Sequence, residues 1–254
     1  MEQAAKHLLE IRGLMKQYGN KNVLNGMKFY VDRGEVLGFL GPNGAGKSTT
    51  IRLITGIEAV DQGKILFEGR EINENLKSLQ QSLGIVPQEI ALYNDLSAEQ
   101  NVSFFCSLYG VRGKGLKERT KEALEFVGLW EHRKERPGKF SGGMKRRLNI
   151  ACSIAHSPEI LIMDEPTVGI DPQSRNHILS AIKELNRRGT TVIYVSHYME
   201  EIDALCSRLV IADQGAVILD CDKETLKREY EKQGISSLED IFLSITGSSL
   251  RDEE

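Results

Sequence analysis

An apolar run that breaks into a glycine-rich turn and then a helix constrains this chain more than any other feature. EVLGFL leads straight into GPNGAGKST (41–49), and KSTTIRLITG has helical character. The turn satisfies the spacing Gly-x4-Gly-Lys-Ser/Thr of a phosphate-binding loop. Its glycines let backbone N–H groups converge on phosphate oxygens that side chains would obstruct, and the helix adds the positive end of its dipole. Gly41, Pro42, Asn43, Gly44, Ala45, Gly46, Lys47, Ser48 and Thr49 are the candidate cradle. Lys47 is placed to reach β- and γ-phosphates, and the Ser48 hydroxyl to ligate Mg2+.

Two further runs behave like the first. EILIMDE (159–165) and TVIYVSH (191–197) lack polar alternation, so both read as strands buried on two faces. Each precedes a helical pattern, PQSRNHILSAIKELNRRG and YMEEIDALC. Strand then helix, repeated, predicts an α/β fold with a parallel sheet and helical crossovers. The N-terminal stretches HLLEIRGLMKQYG, NVLNGMKFYVDRG and KILFEGREI read instead as an antiparallel β layer joined by Gly and Asn turns. From about 91 to 157 the texture turns helical, as an insert in the α/β core. LSAEQNVSFFCSLYG starts at a Ser97 cap, and LKERTKEALEFVGL carries Leu116, Ala123, Leu124 and Val127 amid charge. Residues 1–220 are expected to form the main domain, and 221–254 a C-terminal helical extension with an acidic tail.

Composition excludes some partners. A formal net charge of −3 over 254 residues lacks the basic excess of a broad nucleic-acid surface. The four cysteines (Cys106, Cys152, Cys206, Cys221) are scattered without metal-ligand spacing, which suits reduced thiols filling packing sites. MEQAAKHLLEIRG lacks the apolar core of a signal peptide, and no run approaches the roughly 18–20 apolar residues that cross a bilayer. Any membrane span is expected from another chain.

The strand exits carry the remaining chemistry. Asp164 ends ILIMD, able to hold Mg2+, and Glu165 follows, placed to polarise a water attacking the γ-phosphate. Helix capping or simple solvation is the plainer reading of an adjacent acid pair. His197 stands at another strand exit, where open α/β sheets bind ligands, and is a γ-phosphate contact candidate. Gln88, in LGIVPQE, has an amide suited to Mg2+ or the attacking water; its plainer reading is a loop glutamine. In KFSGGMKRRLNIACSIA, Ser141 is a helix N-cap candidate, with Arg146 and Arg147 solvated in the ordinary reading. In the sharper reading, Ser141, Gly142 and Gly143 form a second phosphate-binding surface. Residue physics leaves both open.

The ordered set GPNGAGKST, Gln88, FSGGM, ILIMDEP, GIDP and His197 resembles the nucleotide-binding subunit of ABC transporters over nearly the whole chain. The resemblance implies a RecA-like P-loop core and an ATPase with ATP and Mg2+ as cofactors. It implies that Tyr18 stacks on adenine and that Asp171 communicates across a head-to-tail dimer. Two ATPs would be sandwiched there, each phosphate loop facing FSGGM of a second nucleotide-binding subunit, identical or paralogous. A separate polytopic permease would receive the force, at the cytoplasmic face of the cell membrane, and no nucleic acid is expected. Phe104, Phe105 and Tyr109 would line that docking contact, although core packing is the default for an aromatic stripe. Phe140 and Met144 replace the commoner Leu and Gln of the signature. With KRRLNIA and LEDIFLSITG, they make the chain similar to daunorubicin-resistance-type exporters of drugs, antibiotics or ions. Two alternatives stand beside this: a soluble ABC ATPase of translation or nucleic-acid repair, and a nucleotide-gated switch with little turnover. The stretch between Lys47 and Ser141 lacks the coiled-coil or zinc insert of repair members, and the chain carries one such domain.

Overall fold

Each stretch predicted to be a doubly buried strand is one. The computed structural model describes residues 7–247. The beginning of the stretch screened for a leader, and the acidic tail after Gly247, lie outside the described residues. The chain divides into two units: one runs to Gln80 and resumes at Thr191, and the other is Gln81–Thr190.

The first unit opens with β1 (Leu9–Tyr18), β2 (Lys21–Val31), β3 (Val36–Leu40) and α1 (Lys47–Ile54). β4 (Gln62–Phe67), β5 (Arg70–Glu71) and α2 (Ile72–Ser82) follow. The second contains β6 (Leu83–Val86), α3 (Ala98–Leu108), α4 (Gly113–Phe126), α5 (Gly142–Ile154), β7 (Ile160–Asp164) and α6 (Pro172–Arg187). The chain then returns with β8 (Thr191–Val195), α7 (Met199–Leu205), β9 (Arg208–Asp213), β10 (Ala216–Asp222), α8 (Lys223–Glu231) and α9 (Leu238–Thr246).

The first unit is layered. The N-terminal strands form the expected antiparallel sheet, in the order β2-β1-β4-β5. β1 points Leu9 and Ile11 inward, and a register shift before Leu14 keeps that residue buried too. β3 lies between β8 and β9, parallel to both, with Phe39 opposite Val195 on one side and Val210 on the other. Every residue of β3 and β8 is buried, which is why neither shows polar alternation. Phe29 of β2 meets Phe39 at 5.1 Å between ring centroids, filling the space between the layers. β10 pairs antiparallel with β9 and runs through Asp222. α9 is amphipathic: Leu238, Ile241 and Phe242 are buried, and the helix packs on α7 and α8.

In the second unit β6 and β7 run parallel, with Val86 opposite Met163, and α3, α4 and α5 pack on one another. Ser97 caps α3 in a reciprocal box: its hydroxyl accepts from the Gln100 N–H at 3.2 Å, and the Gln100 amide oxygen accepts from the Ser97 N–H at 2.9 Å. The helix buries Ala98, Asn101, Val102 and Cys106, the i, i+3, i+4 and i+8 positions of one stripe. That choice of face splits the aromatic stripe: core packing fails for Phe104, while Tyr109 stacks on the ring of His156. Phe104 is 38% exposed and Leu108 65%, because both fall off the buried stripe, while Phe105 and Tyr109 are half-buried. All four cysteines are free, with Cys106, Cys152 and Cys206 buried.

Candidate nucleotide-binding and catalytic site

In the first unit the phosphate loop leaves the carboxyl end of β3. Gly41 has φ +154°, and a Cβ there would lie 2.2 Å from the Ala212 carbonyl oxygen, so only glycine lets the chain pass β9. α1 begins after Gly46 with no side chain capping it. Its first N–H groups are those a helix leaves to outside acceptors. Lys47 folds back over the loop, its Nζ donating to the carbonyls of Gly41 at 2.6 Å and Pro42 at 3.1 Å. Asn43, Gly44 and Ser48 are exposed, Pro42, Ala45 and Thr49 buried.

Tyr18 ends β1, 41% exposed. Its phenol donates to the Glu58 carboxylate, which also takes Arg52 of α1 at 3.2 Å. That hydrogen bond is the chief reason the phenol's pKa lies above its ordinary value and the Glu58 carboxyl's below. Tyr18 is thus tied, through Glu58, to the helix that follows the phosphate loop.

His197 lies two residues beyond β8, the parallel neighbour of β3, so both exits open at the same sheet end. Its ring is half-buried and 4.2 Å from that of Tyr198. The turn carrying it is braced from below. Buried Glu201 accepts from the Tyr194 hydroxyl at 2.7 Å and the Ser196 hydroxyl at 3.1 Å, and Ser196 Oγ accepts the Tyr198 N–H at 3.0 Å. Sequence reasoning missed Glu201. Its signal was a Tyr on the strand and a Ser just past the strand's end, with an acid in the first turn of the next helix.

In the second unit, β6 and β7 also end together. Gln88 follows one, Asp164 and Glu165 finish the other, and the Gln88 amide donates to the Glu165 carboxylate at 3.2 Å. Glu165 sits at φ +46°, an uncommon conformation for a residue with a side chain, of the kind that collects at functional sites. The reading of Asp164–Glu165 as a helix cap does not hold, since α6 is capped by Asp171. The Asp171 carboxylate accepts the Ser174 N–H at 2.9 Å, and this bond holds its pKa below the ordinary range.

Ser141 caps α5, its hydroxyl accepting from the Met144 N–H at 3.2 Å. Ser141 and Gly142 are exposed while Gly143 is buried against α6. The ordinary reading of Arg146 as solvated is wrong: it is 3% exposed and donates to the carbonyls of Pro87, at 2.6 Å, and Gln88. Arg147 is half-buried, donating to the Val127 carbonyl at 2.8 Å. Carbonyl oxygens at the start of the Gln88 loop gave the Arg146 side chain somewhere to go, and no residue pattern announces such partners.

Backbone amides cleared of side chains ahead of a helix, and a strained carboxylate closing a buried strand beside an amide, are the equipment of a P-loop ATPase. Comparison with known proteins narrows the class. The family model for ABC transporters matches residues 24–168, and the chain belongs to that family and is an ATPase of it. It is similar to the linearmycin resistance ATP-binding protein LnrL of Bacillus subtilis (strain 168), 52% identical over 83% of this chain and 68% of the relative. It is also similar to the Nod factor export ATP-binding protein I of Rhizobium sp. (strain N33), 37% identical over 89% of this chain and 74% of that one. Among solved structures, an ATP binding subunit of an ABC transporter matches with a TM-score of 0.84 and 29% identity, covering 94% of this chain and 99% of its own. cbiO1 from Clostridium perfringens, described as part of the transporter complex cbiONQ, matches with a TM-score of 0.78 and 28% identity over 89% and 95%.

Proposed function

We propose that this ATPase binds Mg-ATP, pairs head-to-tail with a second nucleotide-binding subunit, and drives export through a separate membrane-spanning permease. The observation that carries the hydrolytic part is the Gln88–Glu165 contact at the joint end of β6 and β7. Glu165 takes the role of polarising the attacking water, with the Gln88 amide orienting it and His197 contacting the γ-phosphate. Lys47 and the loop amides from Gly41 to Thr49 hold the phosphates, and Tyr18 stacks on the base. Ser141, Gly142 and Gly143 receive the γ-phosphate held by the opposite subunit, and Asp171 lies at the same junction.

Asp164, the Ser48 hydroxyl and the Gln88 amide would hold Mg2+. A carboxylate and two neutral oxygens suit a hard cation that keeps several waters and takes its other ligands from phosphates. When bound, the metal supplies charge neutralisation at the β- and γ-oxygens.

Export is supported by the relatives, one a resistance protein and the other an export protein by name. In this reading the subunit works peripherally, at the cytoplasmic face of the membrane; among the described residues no helix is long and apolar enough to cross one. Exposed Ile90, Tyr93, Phe104 and Leu108 offer the permease an apolar face. Glu165→Gln is expected to keep ATP binding, trap the dimer and nearly stop phosphate release. Lys47→Ala is expected to weaken ATP binding and abolish turnover. Wild-type turnover in Glu165→Gln removes the carboxylate from its role. Co-purification with ribosomes or DNA, and not with a polytopic membrane protein, removes export.

A further inference from the structure

We propose that Arg146 is a positioning residue for hydrolysis, setting from the signature helix where Gln88 presents its amide to Glu165. The inference rests on the hydrolytic reading of those two residues. Three contacts form an unbroken chain. The Arg146 guanidinium grips two consecutive carbonyls, Nη1 on Pro87 at 2.6 Å and Nη2 on Gln88. Gln88 therefore has its backbone held by α5 while its side chain touches the carboxylate at 3.2 Å.

The far end of the same loop is fixed as well. Buried Asn101 accepts the Tyr93 N–H at 2.8 Å and donates to the carbonyls of Tyr93, Leu96 and Ser97 at 3.0–3.2 Å. Between these anchors Gln88 has little freedom to move independently of α5.

Packing alone does not account for an arginine here. Burying a guanidinium costs several kcal/mol, and an apolar side chain of similar volume often fills such a space at no loss of stability. What arginine offers, and an apolar residue lacks, is a rigid planar fork that fixes two acceptors at once. The same helix begins at Ser141 and Gly142, about 7 Å along the axis from Arg146 at 1.5 Å per residue. A displacement of α5 on engaging phosphate at those residues is carried by Arg146 to Gln88. The chain of contacts thus ties the hydrolytic pair to the occupancy of the signature segment.

Arg146→Lys keeps the charge but replaces the fork with a point donor; Arg146→Met keeps only volume. Steady-state ATP hydrolysis by the full-length subunit is expected to show kcat reduced about tenfold in both, with KM for ATP within twofold of wild type. The thermal midpoint of Arg146→Lys should fall by no more than a few degrees. In a Gln88→Ala background, Arg146→Lys should cost less than a further twofold, because the group it positions is gone. Amide hydrogen exchange at residues 87–92 should rise in Arg146→Lys. Wild-type kcat in Arg146→Lys, or a full tenfold loss on top of Gln88→Ala, overturns the proposal even if Arg146→Met fails to fold. Wild-type turnover in Glu165→Gln instead overturns the hydrolytic reading beneath it, so the two failures are distinguishable.

Discussion

At residue scale, Gly143 shows how a requirement of this site differs from ordinary helix chemistry. Alanine replacing glycine inside a helix usually adds up to about 1 kcal/mol of stability. A Cβ on Gly143 would stand 2.2 Å from Ser174 Oγ and 2.6 Å from Ser174 Cβ, at the start of α6 beside the Asp171 cap. The sign should therefore reverse: Gly143→Ala is expected to destabilise by about 1–3 kcal/mol through overpacking. Gly142→Ala, with nothing within 4 Å, should be neutral or stabilising. Urea denaturation of both checks this, and Ser174→Gly should restore much of what Gly143→Ala loses. Equal stability of the two alanine variants would show that α5 and α6 do not pack as closely as they do here. The glycine pair was read as a candidate phosphate-binding motif, yet its second member is also a packing necessity. Spacing points to candidate residues whose proposed roles are local, such as Lys47 or Glu165. It conceals those whose partners are distant carbonyls or hydroxyls, as with Arg146 and Glu201.

At the scale of elements, the doubly buried strands were readable because nothing polar interrupts them, and α3 because Ser97 and Gln100 announce its start. The β9–β10 hairpin was not anticipated, although RLVIADQGAVILDCD carries a Gln-Gly turn between apolar runs. The docking of α3 on β6 was also invisible. The Tyr109 ring lies flat on His156 at 3.5 Å, and both donate to the Leu83 carbonyl, His156 Nε2 at 3.1 Å and the Tyr109 hydroxyl at 3.3 Å. Burial is the main cause that moves the His156 pKa down from 6.5 to about 4, opposed by the Leu83 carbonyl and aided by Arg119. The unfolded chain takes up the proton near pH 6.5 and the folded chain does not until about 4. Stability from the neutral ring is thus complete above pH 6.5 and drains as pH falls toward 4, by at most about 3 kcal/mol. His156→Phe keeps a stacked ring and removes the titration. Its stability relative to wild type should rise steadily from pH 6.5 to 4, measured by urea denaturation at each pH. Parallel pH profiles for the two proteins would show that the imidazole does not titrate across that range.

On the scale of the whole molecule, the ATPase was legible and its coupling to a partner much less so, because coupling resides in a surface. Exposed Tyr93 and Phe104 meet edge to face at 5.0 Å, with Phe105 5.5 Å from Phe104, and Leu108 stands 65% exposed on the same helix. A helix can present that much apolar area to water only at a cost that a partner's apolar surface offsets. Docking on the proposed permease would cover this face. Leu108→Asp places a charge where the partner should be dry and where the free subunit is already wet. Its stability should stay within about 0.5 kcal/mol, as for surface substitutions elsewhere, and the isolated subunit should hydrolyse ATP at the wild-type rate. Recovery of the subunit with the proposed permease from detergent-solubilised membranes should fall at least tenfold, since one desolvated charge in an apolar contact is enough to break it. Undiminished recovery would move the docking site away from α3, leaving the catalytic residues untouched.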